Sequence, residues 1–132
     1  MSKREGGCFC GDIRYRVDGE PQFPHLCSCW KCRRWSGAPV VGWVGFAYDS
    51  VEWIGRQGWP TLYRESEGSQ RGHCSRCGGT ICAIDDGADT MAFTMDSLDD
   101  SNDLHPVSHS FSGDLATWIS VDLAKSGPSG HD

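Results

Sequence analysis

The chain reads as a mainly β domain built of several short antiparallel sheets and stapled by metal. Three observations carry this. Short apolar or alternating segments recur along the sequence, and none extends into a long helical period. Glycine supplies 17 of 132 residues and tryptophan six, a composition of tight turns between aromatic-rich strands. Of the eight cysteines, seven fall in three tight clusters. At this length the chain forms one domain with a real core, which metal crosslinks would reinforce.

The elements follow in order. Residues 1–5 are expected to be loose. Asp12-Ile13-Arg14-Tyr15-Arg16-Val17 alternates polar and apolar residues, a half-buried strand, and Asp18-Gly19 turns the chain. The segment from Trp30 to Trp35 reads as a short helical turn. Residues 39–46 are apolar and β-branched, with Gly42 and Gly45 marking bends. Val51–Ile54 and Thr61–Arg64 are further strands. Thr80–Ile84 is a short apolar run that stops at Asp85-Asp86-Gly87, and Thr90–Met95 is another strand. Residues 118–121 are read as the last one. The domain is expected over 6–122, with a flexible tail over 123–132. There is no repeat of whole units.

Composition excludes several classes. The net charge is −6, so the chain has no global attraction for phosphate backbones, and nucleic acid is not expected as a partner. The dense basic run, Lys31-Cys32-Arg33-Arg34, lies inside a cysteine cluster. No segment approaches the roughly 20 apolar residues that span a membrane. The N-terminus lacks the apolar run of a secretory signal. The expectation is a cytoplasmic protein with reduced thiols, which argues against disulfides. Oligomeric state is left open.

The cysteine clusters are Cys8-Phe9-Cys10, Cys27-Ser28-Cys29-Trp30-Lys31-Cys32 and Cys74-Ser75-Arg76-Cys77. Zinc takes four ligands in a tetrahedron, and a CxxC turn points two thiolates at one place. A following glycine closes such a knuckle in the left-handed conformation; Gly11 follows Cys10 and Gly78 follows Cys77. Cys8, Cys10, Cys74 and Cys77 therefore make a closed structural site. Cys27, Cys29 and Cys32 are left with three sulfurs and an open fourth position, the pattern of a reactive zinc site. The count predicts two zinc ions per chain. Cys82, His25 or His73 could instead complete the second site. Cys82 also reads as a small buried hydrophobe, and His25 and His73 as surface groups or groups behind the ligands. His105 and His109 receive no role.

The ordered set of CxC, CxCxxC with Arg and Ser-Gly-Ala behind it, and CxxCG resembles the glutathione-dependent formaldehyde-activating enzyme family. The residues that carry it are Gly7–Gly11, Cys27–Ala38 and His73–Thr80, joined by Phe93–Asp100 and Trp118, over roughly residues 6 to 122. The resemblance implies a complex β fold of short sheets, shared with a Rab-binding chaperone and with methionine-R-sulfoxide reductases. It implies a structural zinc on Cys8, Cys10, Cys74 and Cys77, and a catalytic zinc on Cys27, Cys29 and Cys32. It implies a carbon–sulfur lyase acting on an adduct of glutathione, or another thiol, with an aldehyde, such as S-hydroxymethylglutathione. Relatives often carry histidine between the first two cysteines of the catalytic cluster, where this chain has Ser28.

Three thiolates and Zn²⁺ sum to −1, so such an ion could lower the pKa of a bound thiol or polarise an aldehyde oxygen. Lys31, Arg33 and Arg34 could offset that charge or grip the carboxylates of a tripeptide, against the plainer reading of a solvated basic turn. Trp30, Trp35 and Trp43 could wall a pocket or simply pack a small core. Two rivals remain: a non-catalytic zinc module that binds a protein or nucleic acid, the acidic balance counting against the latter, and a redox protein using a CxxC.

Overall fold

The structure, a computed structural model, describes residues 3–66 and 68–123. The strands are β1 (Lys3–Gly7), β2 (Arg14–Asp18), β3 (Gln22–Cys27), β4 (Val41–Ala47), β5 (Glu52–Trp53), β6 (Thr61–Ser66), β7 (Ser69–His73), β8 (Thr80–Asp85), β9 (Thr90–Thr94) and β10 (His109–Ser110). A single α-helix among the described residues, α1 (Trp30–Ser36), joins β3 to β4. The strands form a three-stranded sheet, β1-β2-β5, and a seven-stranded sheet, β10-β3-β4-β9-β8-β7-β6. Neighbours are antiparallel except β10, which runs parallel to β3. The mainly β architecture read from the sequence is the architecture found.

Alternation explains how the sheets stack. Ile13, just before β2, and Tyr15 and Val17 within it are fully buried at alternate positions. They meet Val44 and Phe46 of β4, Cys82 and Ile84 of β8, and Met91 and Phe93 of β9 in the main core between the sheets. Tyr15 stacks on Phe93 at 4.3 Å between ring centroids. Burial of each such side chain stabilises by about 1.5–3 kcal/mol. The opposite face of the large sheet carries a second, smaller core under α1: Cys27, Cys32, Val41 and Trp43, flanked by Cys29, Trp35, Ala83 and Ala92. β4 serves both cores, sending Val41 and Trp43 one way and Val44 and Phe46 the other.

Two expectations are corrected. Lys3–Glu5 are not loose but lie in β1, paired residue for residue with β2. Gly6 and Gly7 give this strand no hydrophobic pattern. Gly6 instead permits close approach: a Cβ there would fall 2.4 Å from the Ser97 carbonyl and 2.5 Å from the Tyr15 hydroxyl. Ion pairs hold the strand down, with Arg4 forked onto Asp103 at 2.6 and 3.0 Å, and Glu5 pairing with Arg14 and Arg16. Residues 118–121 are not a strand. The chain turns there, with the Ile119 N–H donating to the Ala116 carbonyl, and Trp118 is exposed. Most of the expected tail, residues 124–132, lies outside the described residues.

Candidate metal centres and the cleft beside α1

The first cysteine group forms where two loops meet. Cys8 and Cys10 occupy the turn between β1 and β2, and Cys74 and Cys77 the knuckle between β7 and β8. Gly11 (φ 88°) and Gly78 (φ 77°) take the left-handed conformation that their positions behind the cysteines predict. The Gly78 N–H donates to the Cys74 carbonyl at 2.9 Å, closing the knuckle. Cys8 and Cys10 sulfurs lie 3.7 Å apart, and Cys10 and Cys74 sulfurs 3.8 Å. A tetrahedral ion with Zn–S near 2.3 Å needs sulfurs about 3.8 Å apart, so these distances fit it. Backbone N–H groups aim at the sulfurs: Ile13 at Cys8, Arg76 and Cys77 at Cys74, each 3.3 Å, and Gly79 at Cys77, 3.4 Å. The Gln57 amide adds a donor to Cys74 at 3.6 Å. Burial works against a thiolate at Cys74, but the Cys77 and Arg76 N–H groups bring its pKa down to about 6. An all-sulfur, partly buried tetrad of this size suits zinc.

The second group lies on the other face of the large sheet. Cys27 ends β3, Cys29 caps the N-terminus of α1, and Cys32 sits one turn inside it. The Cys32 N–H donates to Cys29 Sγ at 3.3 Å, so the helix start itself folds the CxxC. All three sulfurs lie within 4.8 Å of one another, and among the described residues no fourth Cys, His, Asp or Glu joins them. Burial pushes the Cys27 thiol up to about 12. At Cys29 burial is outweighed by hydrogen bonds, led by the Cys32 N–H, and its pKa is lowered. Such a trio can hold one divalent ion and leave a coordination position for a further ligand.

The alternative ligands lie elsewhere. Cys82 is fully buried in the main core, where burial pushes its thiol up to about 12. His25 Nδ1 bonds to the Phe23 carbonyl at 2.9 Å, and His73 ends β7; neither belongs to a cysteine group. Of the basic run, Lys31 pairs with Glu65 at 3.5 Å, and Arg33 Nε donates to the Ser28 carbonyl at 2.8 Å. Trp35 and Trp43 stack at 5.6 Å in the small core. Trp30 is 63% exposed and lines an open cleft of about 490 Å³ with Arg33, Arg34, Asp114 and Trp118. Trp30, Arg33 and Arg34 share one face of α1, next to Cys32 and the N-cap Cys29.

Sequence reasoning missed two contacts beside the trio. Arg71 of β7 reaches Cys32 Sγ with both terminal nitrogens, at 3.8 and 3.9 Å. Ser28, fully buried between Cys27 and Cys29, shares a 2.8 Å hydrogen bond with Nε2 of His109, which β10 brings alongside β3. The first was hidden in a polar strand with no apolar alternation. The second depends on a pairing across 81 residues.

Comparison with known proteins gives a family match and a likeness of fold. The sequence profile described as "Glutathione-dependent formaldehyde-activating enzyme" matches residues 3–114. A Rhodobacter sphaeroides protein of known crystal structure superposes with a TM-score of 0.62 at 20% identity, over 80% of this chain and 99% of that one, a likeness of fold. No curated protein matches the sequence.

Proposed function

This chain belongs to the glutathione-dependent formaldehyde-activating enzyme family, and from that premise we propose that it is a zinc-dependent carbon–sulfur lyase that joins or splits a thiol and a small aldehyde. The reading rests on one observation above all: the three sulfurs of Cys27, Cys29 and Cys32 gather at the start of α1 with no fourth protein ligand among the described residues. Cys8, Cys10, Cys74 and Cys77 would hold a structural zinc, and Cys27, Cys29 and Cys32 a catalytic one. When bound, that ion supplies a Lewis acid beside which a thiol ionises near neutral pH.

The reaction has simple bookkeeping of atoms. The sulfur of the thiol adds to the carbonyl carbon of formaldehyde, a C–S bond forms, and the proton leaves sulfur and ends on oxygen. The product is a hydroxymethyl thioether, and the reverse reaction splits it. The chain's own groups would act by holding and orienting. Arg33 and Arg34, on the cleft face of α1, suit the carboxylates of a tripeptide such as glutathione. Trp30 and Trp118 offer flat apolar walls to its backbone. The same two exposed tryptophans also suit a protein partner, which is the second reading.

NMR exchange between free formaldehyde and its glutathione adduct tests the proposal, with zinc-loaded protein and with Cys27→Ser as control. Accelerated exchange that Cys27→Ser abolishes is expected. No acceleration by protein carrying two zinc ions would sink the lyase reading for this substrate pair and favour the binding module.

A further inference from the structure

Arg71 is only 9% exposed, and a guanidinium taken out of water must have its charge met. Its partners converge from three sides. Both terminal nitrogens fork onto Cys32 Sγ, at 3.8 and 3.9 Å. Its guanidinium carbon lies 5.0 Å from the ring centroid of Trp35 and 6.0 Å from that of Trp43. Its Nε faces Glu65 Oε2 at 3.5 Å, while Lys31 Nζ faces the other oxygen of Glu65, also at 3.5 Å.

The large sheet is shaped for this side chain. Register places Arg71, Ala83, Ala92 and Gly45 in one row across β7, β8, β9 and β4. The three residues after Arg71 are small, and Ala83 and Ala92 pack against the Cys27, Cys32, Val41 and Trp43 cluster. That face of the sheet is left open for a long side chain reaching toward the cysteines. Larger residues in the row would fill the space the guanidinium uses.

Charge shows what the arrangement does. Three thiolates and one divalent ion sum to −1. Arg71, Lys31 and Glu65 together contribute +1 and bring the sum to zero. A substrate thiolate at the fourth position returns it to −1; without Arg71 the same ligand would make it −2. A neutral carbonyl oxygen would need no such counter-charge.

We propose that Arg71 is the built-in counter-ion of the three-cysteine site, and that it adapts the open position to an anionic sulfur ligand, a thiolate, in preference to an aldehyde oxygen. The inference rests on the two-metal reading above. Arg71 is a positioning residue that acts through Cys32. Glu65 offsets part of its charge.

The test uses full-length protein loaded with cobalt(II), in wild-type form and as Arg71→Met, Arg71→Lys and Glu65→Gln. Metal analysis comes first. One ion per wild-type chain overturns the two-site reading and this proposal with it. With two ions bound, the measurements are cobalt loss to a competing chelator and the glutathione concentration that raises the thiolate-to-cobalt charge-transfer band. In Arg71→Met, one of the two ions should be held about 10–100-fold more weakly, and about tenfold or more glutathione should be needed. Arg71→Lys, which keeps the charge, should stay within a few-fold of wild type. Glu65→Gln should take up glutathione at lower concentration than wild type. Wild-type behaviour of Arg71→Met overturns the proposal alone. So does equal impairment of the Lys and Met variants, which would mark Arg71 as packing only. Should Arg71→Met fail to fold, Glu65→Gln still decides, and unchanged or weaker glutathione uptake refutes the counter-ion role.

Discussion

Replacing Cys74 by serine should test the proposed division between a fold-holding cysteine group and a reactive one. Cys74 is 1% exposed, and its sulfur lies 3.8 Å from that of Cys10, a residue 64 positions earlier. On the proposed assignment it is one of four thiolates tying the β1–β2 turn to the β7–β8 knuckle. Its Sγ also accepts the Arg76 and Cys77 N–H groups at 3.3 Å and the Gln57 amide at 3.6 Å. A structural zinc contributes roughly 10–16 kcal/mol of apparent folding free energy at neutral pH. The whole domain is expected to be stable by about 5–15 kcal/mol. Losing even half of the zinc contribution therefore matches most of the net stability. Cys74→Ser should be insoluble, or show no cooperative melt by far-ultraviolet circular dichroism, with metal analysis finding the tetrad's ion missing. Cys27→Ser perturbs the small core under α1 and leaves the main core whole, so it should melt cooperatively. A soluble Cys74→Ser that melts in one transition within a few degrees of wild type would refute the division of labour, as would a Cys27→Ser that cannot fold.

Two further predictions concern stability. Arg14 holds the Asp99 carboxylate below the ordinary range through hydrogen bonds of 2.7 and 2.9 Å. A depressed folded pKa means that this stabilisation is fully present above the unfolded value of about 3.9 and is lost as pH falls through the folded value; Asp99→Asn should thus cost under about 1 kcal/mol at pH 7, because the pair is half exposed, and should flatten the acid limb of a pH titration of denaturant midpoints. In Gly72→Ala the new Cβ would fall 2.7 Å from Cys82 Sγ and 3.1 Å from Pro60 Cγ, which predicts a loss of about 1–3 kcal/mol in urea melts. Adding Cys82→Ala should recover part of that loss, and additive effects would rule out the contact as the cause.

The sequence made some elements plain and hid others for physical reasons. β2 was visible because Ile13, Tyr15 and Val17 alternate and all three are buried. The two cysteine groups were visible because ligand spacing is local: a CxC or CxxC aims its sulfurs through a single turn. β3 was hidden by Pro24 and by the bulge at Phe23, whose φ is +47°. β7 was hidden because Ser69-Gln70-Arg71-Gly72-His73 places an arginine and a glycine where apolar residues would mark a strand. Residues 118–121 misled for the opposite reason. Their apolar content resembles a strand, yet Trp118 faces the cleft. Periodicity reports burial in a sheet, and it fails where an apolar side chain lines a surface cleft instead.

On the two-zinc proposal, the placement of the two cysteine groups answers a problem that one shared site would create. A metal that carries folding energy must be closed, because an exchangeable fourth ligand would couple substrate binding to unfolding. Here Cys74 belongs to the main core, and Cys8, Cys10 and Cys77 pack against it, whereas Cys27 and Cys32 belong to the small core on the far face of the sheet. β4 and β8 lie between them, and the register row Arg71, Ala83, Ala92 and Gly45 keeps the far face spacious while Phe46, Cys82 and Phe93 fill the near one. A ligand could enter and leave the three-cysteine site without loosening the tetrad. Arg71, the side chain that reaches the three-cysteine group, comes from β7, the strand that also leads into the knuckle at Cys74. On the proposed assignment, one strand would thereby deliver a structural ligand in its following loop and a counter-charge from its middle. A substitution in that strand should disturb metal retention at both groups only if it moves the backbone, and at one group if it changes a side chain alone.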